Sequence, residues 1–540
     1  MVKRLMPLLV YDLNGDGLSE IVLGGLNRIY WNEGAGKFRQ APLAEYPVEM
    51  FDAAILADFT GDGHVDLVCV SEDRYPRIFE GGQDGKFLQP SRRCARSQLE
   101  LPKSFTAGDI DGDGDLDLWI GQYKFPYVEG SMPTPFYDAN DGFPSVLLVN
   151  DGKGNFLDKT DAAGLSKKRN RRTFSSSLVD LDDDRDLDLI TVNDFCGFDV
   201  YANDGQGKFT DVTDQIVDQK HLFGMGHCFA DFDGDGLLDI YGIGMSSTTA
   251  RRLDHMKLGP ADRADINAKR SAMGYGNRLM FGRENTIDRR KQRVYRQAAF
   301  NDQLCRTGWS WGTTAIDFDN DGDKDIFVTN GHSSGRSARD YCTRYWCHDV
   351  YTGTSQANRE LLSLFGDSLR DLHRGEISWN GFEHDVLWMN DRGRGFADAA
   401  FPLGIAFEFD GRAAASDDLD LDGRPDLLVV EHSAVDRQTV TYRLHVLRNR
   451  LETSNNWIGV QLGESPAGSP IGARVAVTYP GGRQIARVVT GDSFSSQHAA
   501  TVHFGLGAAT RVEAIDIEWA SGKKRRLEGP TIRRYMRATP

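Results

Sequence analysis

Seven short acidic loops, apolar strand-like runs beside six of them, and a repeat of about fifty residues predict an all-β chain. The expected fold is a seven-bladed, calcium-binding β-propeller with short helical insertions, followed by a small β-sandwich domain.

The loops begin at Asp12, Asp58, Asp109, Asp180, Asp231, Asp317 and Asp418, and follow the form Asp-x-(Asp/Asn)-x-Asp-Gly-x-x-(Asp/Glu) with few departures. Their expected ligand sets are Asp12/Asn14/Asp16/Glu20, Asp58/Thr60/Asp62/Asp66, Asp109/Asp111/Asp113/Asp117 and Asp180/Asp182/Asp184/Asp188 in the first half of the chain. Asp231/Asp233/Asp235/Asp239, Asp317/Asp319/Asp321/Asp325 and Asp418/Asp420/Asp422/Asp426 complete the series. A hard cation of calcium's size takes six to eight oxygens, which carboxylates at alternate positions of a tight loop bring to one point. The glycine after the third ligand permits the sharp turn. Thr60 in the second loop and Arg185 at the glycine position of the fourth predict weaker sites there. A single such loop reads equally as a solvated Asp-Gly turn. Seven in register favour metal, and seven Ca2+ would bring the formal charge from −16 to about −2.

Successive loops start 46, 51, 71, 51, 86 and 101 residues apart, a repeat interrupted by insertions. Each unit reads as strand, acidic loop, strand, then a hairpin near Asn-x-Gly-x-Gly-x-Phe, as at Asn32–Phe38, Asn150–Phe156, Asn203–Phe209 and, in variant form, Asn390–Phe396. Four strands per unit describe a propeller blade, which places the propeller over residues 1–450. Residues 451–540 alternate apolar and polar positions over Trp457–Leu462, Arg474–Thr478 and Ala514–Trp519, the pattern of a small sandwich.

The repeats resemble the FG-GAP/VCBS family, whose calcium-loaded blades build integrin-like propellers. The tail, with Asn456–Leu462, Ile471–Val475, Gly491-Asp-Ser-Phe-Ser-Ser-Gln497, His503-Phe-Gly-Leu-Gly507 and Ile515–Trp519, resembles the ASPIC/UnbV domain. That domain follows such propellers in the cartilage-acidic-protein-like family. The resemblance implies fold and calcium, and leaves the activity open.

An acidic balance, with pI near 5.3, argues against nucleic acid as a partner, and no run of eighteen apolar residues is present to span a membrane. The run Leu8–Val10 passes straight into the first loop and reads as strand; a signal sequence is expected upstream, with the protein secreted or periplasmic. Among seven cysteines, only Cys342 and Cys347 are close in sequence, and a local disulfide or a thiolate metal site are the two readings.

In a propeller the acidic loops gather on one face. The long insertions at 121–144, 246–277 and 331–384 leave second strands, so they should cover the opposite face, with helices over 260–272 and 355–373. His227, His332 and His432 map to that face, with Cys342, Cys347 and His348 among Tyr341, Tyr345 and Trp346. This set could hold one Cu or Zn. Singly, each histidine reads as a hydrogen-bonded structural residue. Lys103, Tyr123, Lys124, Asp194, Trp309, Trp311 and Arg412 suit a carbohydrate or an anionic ligand, or else packing and solvated charge.

No nucleophile elbow, P-loop, dinucleotide fingerprint or His-Glu-x-x-His helix is present. The first functional reading is a secreted module that binds a glycan, protein or small-molecule ligand, with calcium structural. The alternative is an extracellular metalloenzyme, oxidative if the metal is copper, with a His/Cys centre opposite the calcium loops. A glycan lyase or hydrolase has less support, since no carboxylate pair stands out beyond the loops.

Overall fold

The computed structural model describes the chain apart from residues 1–5, 127–132, 134–135, 288–289, 352–358, 361–362, 364–365, 367–369, 373 and 435–439. Seven antiparallel sheets follow one another from Leu8 to Leu447. Their first strands are Leu8–Tyr11, Met50–Ala57, Pro102–Gly108, Arg172–Val179, Gly224–Ala230, Ser310–Ile316 and Gly411–Asp417. These strands neighbour one another in that order and the last returns to the first, closing a ring around an axis. Each acidic loop joins a first strand to a second. First and second strands are buried on both faces, as in Asp66–Ser71 and Asp188–Asp194, which is why they read as continuous apolar runs. The apolar cores lie between adjacent sheets, with Ile55, Val68 and Ile78 of the second packed against Phe105, Leu118 and Val146 of the third.

The asparagine of the repeated hairpin signal has a structural task. The Asn150 side chain donates 2.9 Å to the carbonyl of Phe59, Asn203 donates 2.9 Å to Ile110 and Asn390 donates 2.8 Å to Phe232. In each case the acceptor is the second residue of the previous sheet's acidic loop. Asn449 does the same to Phe318, and Asn32 to Leu419, so the last of these staples closes the ring. In the fifth sheet the Tyr295 hydroxyl takes this place, donating 3.0 Å to Leu181. Asn203→Ala removes this staple, though the Ile110 carbonyl keeps the Gly207 amide, and is expected to cost about 0.5–1.5 kcal/mol, read from the urea midpoint.

The last residue of each loop fixes strand register. Asp117 accepts from the Ile110 and Asn150 amides, Asp188 from Leu181 and Asn203, and Asp325 from Phe318 and Asn390. One carboxylate thus ties the loop to the third strand.

The C-terminal region forms two sheets. One pairs Asn456–Leu462 with Thr501–Gly507 and Tyr535–Ala538; the other holds Gly482–Arg487, Arg474–Tyr479, Ala514–Glu518 and Lys524–Glu528. Ile458, Val460 and Phe504 of the first face Val475, Ile515 and Ile517 of the second in a shared core. Between them the chain leaves the sandwich, and Ser496–Gln497 pairs in parallel with Leu8 and Leu9 of the first sheet.

The insertions carry helices at Thr248–His255, capped by the Ser247 hydroxyl accepting from the Ala250 amide, at Ala264–Met273 and at Cys342–Tyr351. The expected helix over 355–373 falls largely outside the described residues. All three insertions contribute to one aromatic cluster, through Phe136, Ile266 and Trp346, over the ends of inner strands at Phe174 and Trp311.

Candidate functional site

On the acidic face, three carboxylates come together in each of five loops, with one oxygen from each within 4.8 Å of the others. The groups are Asp109/Asp111/Asp117, Asp180/Asp182/Asp184, Asp231/Asp233/Asp239, Asp317/Asp319/Asp325 and Asp418/Asp420/Asp422. Each of these loops also holds a buried oxygen with no hydrogen-bond partner, as a cation ligand would be: Asp111 Oδ1, Asp180 Oδ1, Asp233 Oδ1, Asp317 Oδ1 and Asp420 Oδ1. In the first loop Asp12 Oδ1 and Glu20 Oε1 are likewise unpartnered. The second loop differs. Asp58 accepts from the Gly61, Asp62 and Gly63 amides, and Asp66 from Phe59, Thr60 and Gly81, so both carboxylates are satisfied by the protein itself. In the fourth loop Asp183 and Arg185 take the left-handed conformation at φ 67° and 85°; every other loop has glycine at the position of Arg185, and at that of Asp183 the sixth and seventh have Asn320 and Leu421 instead.

Of the four-residue sets expected from the spacing, three members converge in each of five loops, and the first and second loops form no such group among the described residues. Asn14 and Asp16 bond each other. The Asn14 side chain donates 3.0 Å to the Asp16 carboxylate and accepts 2.9 Å from the Asp16 backbone amide, which occupies its ligand oxygen. Asp113 and Asp321, third in their loops, are exposed and stand outside the convergent groups. Each commits an oxygen to a local turn, Asp113 accepting 3.1 Å from the Asp115 amide and Asp321 2.9 Å from the Asp323 amide. Asp235 is held likewise, by the Leu237 amide and by Arg283, and Asp62 by the His64 amide. In the fourth and seventh loops Asp184 and Asp422 do converge, and there Asp188 and Asp426 stand apart, accepting from the Asn203 and Asn449 amides.

Desolvation dominates the electrostatics. Burial pushes Glu20 and Asp117 up to about 8, with the neighbouring carboxylates adding to it, and Asp317 up to about 7. A divalent cation would reverse this by favouring the ionised form. Calcium would supply charge neutralisation and a rigid closure of each loop.

The sequence-predicted histidines do not form one centre. His227 is fully buried in the channel wall, its Nδ1 2.7 Å from the Ser175 hydroxyl and its Nε2 3.0 Å from that of Ser177. Both ring nitrogens are occupied. His332 stacks 4.0 Å from Trp309 with Trp379 edge-on at 5.2 Å, and its buried Nδ1 has no partner. His432 packs on Tyr442, 5.5 Å away, and its charge acts on His332 together with that of Arg412. Burial and Arg412 together lower both imidazoles. Arg412 itself stacks 4.5 Å over Trp311 and donates to the carbonyls of Gly331, Gly411 and His332.

Cys342 is a free thiol 3.3 Å from the Ser247 hydroxyl, which corrects the local-disulfide reading. Cys342 opens the helix Cys342–Tyr351. The Cys347 and His348 side chains lie outside the described set. Among the described residues the convergent metal-ligand groups are all acidic.

The remaining candidates divide between packing and rim. Tyr123 stacks on Phe174 and donates 2.9 Å to Asp194, whose carboxyl burial pushes up to about 7. Lys103 is 4% exposed and lies 5.8 Å over the Phe125 ring; burial brings its amine down to about 7. Lys124 reaches the Asp141 carbonyl. Trp309, Trp311 and Trp379 hold buried indole nitrogens without partners beside His332 and Arg412. Glu383, next to them, accepts from the Trp309 amide at 2.6 Å and from Asn380, and burial raises it to about 7. The sequence offered no signal for Glu383.

His227 predicts a pH dependence. Burial brings its folded pKa down to about 3, below the usual 6.5, so its contribution to stability is complete above pH 6.5. That contribution is lost as pH falls from 6.5 toward 3, at up to about 1.4 kcal/mol per pH unit. His227→Gln, compared with the parent by urea titration between pH 4 and 8, is expected to flatten the acid limb.

The FG-GAP-like repeat family matches residues 58–120 and 180–242. The ASPIC and UnbV family matches residues 463–540, so the two modules stand in the order that the cartilage-acidic-protein-like resemblance implies. A structure of Trypanosoma rangeli sialidase in complex with 2,3-difluorosialic acid, a covalent intermediate, is similar at 10% identity and TM-score 0.34. The alignment covers 81% of this chain and 59% of the sialidase. No curated protein matches. No helix among the described residues is long and apolar enough to cross a membrane.

Proposed function

We propose that residues 1–450 form a seven-bladed calcium-stabilised propeller that, with the sandwich of residues 451–540, acts as a secreted ligand-binding or adhesion module. Calcium is structural in this reading. The observation that carries it is the set of buried, unpartnered carboxylate oxygens that converge loop by loop. The ligand side is the opposite mouth, where indole N–H groups and Arg412 present donors beside stacked aromatic faces, chemistry suited to a glycan or an anionic ligand. Arg412 beside His332 and His432 opposes a dication there, which weighs against the Cu or Zn enzyme.

Elemental analysis of protein offered excess Ca, Cu and Zn and then desalted is expected to give at least five Ca per chain and no stoichiometric Cu or Zn. One retained Cu or Zn would replace this reading with the metalloenzyme. Asp317→Asn is expected to lower the calcium count by one, whereas Asp58→Asn leaves it unchanged, because the second loop already satisfies its own carboxylates.

A further inference from the structure

The segment Thr490–His498 leaves the C-terminal sandwich, enters the propeller axis and bonds the innermost strand of every sheet. The Thr490 carbonyl accepts from Thr106 of the third sheet and Ser177 of the fourth, both at 2.9 Å. Ser493 donates its amide 2.6 Å to the His227 carbonyl of the fifth sheet, accepts from the Thr313 amide of the sixth and donates its hydroxyl to the Ala414 carbonyl of the seventh. The Ser495 carbonyl accepts from the Leu8 amide of the first sheet, and the Gln497 side chain exchanges bonds of 2.8 and 2.7 Å with the Leu56 backbone of the second. Ser493 and Ser495 are held at φ 64° and 51°, a conformation that non-glycine residues seldom take without such restraint.

At its far end Phe494 is fully buried, 5.0 Å from Trp311 and 5.5 Å from Phe174, and forms a floor beneath the aromatic mouth. At its near end the sandwich rests on the first acidic residues of three loops. Arg487 donates 3.0 Å to Asp180, the Gly505 amide 3.0 Å to Asp317 and the Tyr535 hydroxyl 2.9 Å to Asp418. These donors orient carboxylates whose loops retain unpartnered oxygens.

We propose that residues 490–498 are an axial pin that couples the two faces: seating of the sandwich on the cation-binding loops sets the position of Phe494 and so the shape of the ligand mouth. This rests on the calcium reading above. Coupling of this kind is reciprocal, so occupation of the mouth strengthens cation binding at the loops.

Hydrogen exchange of the full chain, in excess CaCl2 and in EGTA, with calcium counted on the same samples, tests this. Chelation is expected to speed exchange at least fivefold in 490–498 and in mouth segments 309–313 and 330–333, with outer strands such as Phe209–Asp211 unchanged. A second arm keeps calcium present throughout: Phe494→Ala is expected to speed exchange at the mouth fivefold while the loops keep their full calcium count, and Phe494→Leu to restore protection. Calcium bound and released with no change in 490–498 would overturn the coupling and leave the calcium reading standing. No calcium bound at all would overturn both. A uniform rise across every sheet, in both arms, would reduce the pin to a general stabiliser and overturn the coupling.

Discussion

Removing calcium from the intact chain is expected to lower the melting temperature by more than about 10 °C. Each loop that binds calcium only when folded contributes about 2.7 kcal/mol at a hundredfold excess over its dissociation constant, and at least five loops gather the required oxygens. Without the cation, buried oxygens of Asp111, Asp180, Asp233, Asp317 and Asp420 stay unpaired, and neighbouring carboxylates repel one another. Differential scanning calorimetry with EGTA, followed by calcium add-back, measures this. An unchanged melting temperature would remove calcium from the structural account of the loops.

Gly491→Ala is expected to destabilise the protein by about 4 kcal/mol or more, among the largest effects of any single methyl. Gly491 lies at φ 77°, and a Cβ there would stand 2.1 Å from the Ser176 carbonyl oxygen and 2.5 Å from that of Phe105. Neither neighbour can yield, since both belong to inner strands at the axis. Gly522→Ala is the matched control. It shares the left-handed conformation, at φ 78°, but has nothing within 4 Å, so it is expected to cost only about 1 kcal/mol. Equal losses for the two variants, by urea titration, would show that the axial contact contributes nothing beyond backbone strain.

The acidic loops and the all-β class were legible because their signals are local. Ligands at positions one, three, five and nine of one tight turn lie within nine residues, so spacing alone places them near one another. Spacing could not say which three of the four converge: Asp117 and Asp325 join their groups while Asp188 and Asp426 do not, although all four accept from a third-strand amide. The Asn-x-Gly-x-Gly-x-Phe signal was visible too, but its staple from one sheet to the loop of its neighbour was hidden, as Asn203 and Ile110 are far apart in the chain. The motif Gly491–Gln497 was equally plain as a string of letters. That it fills the axis depends on seven strands first closing a ring around it.

The histidines show the same limit from the other side. The place of His332 after a second strand and of His227 in the strand entering the fifth loop could be inferred from the repeat, yet their partners could not: Ser175 and Ser177 occupy His227, and Trp309 and Trp379 pack on His332. The sequence by itself determined the repeat, the acidic loops and the sandwich tail, since each follows from residue pattern over tens of positions. Only the tertiary structure decided that the sandwich seats on those loops and sends a pin through the channel, because those contacts join residues hundreds of positions apart and exist only after the ring has closed.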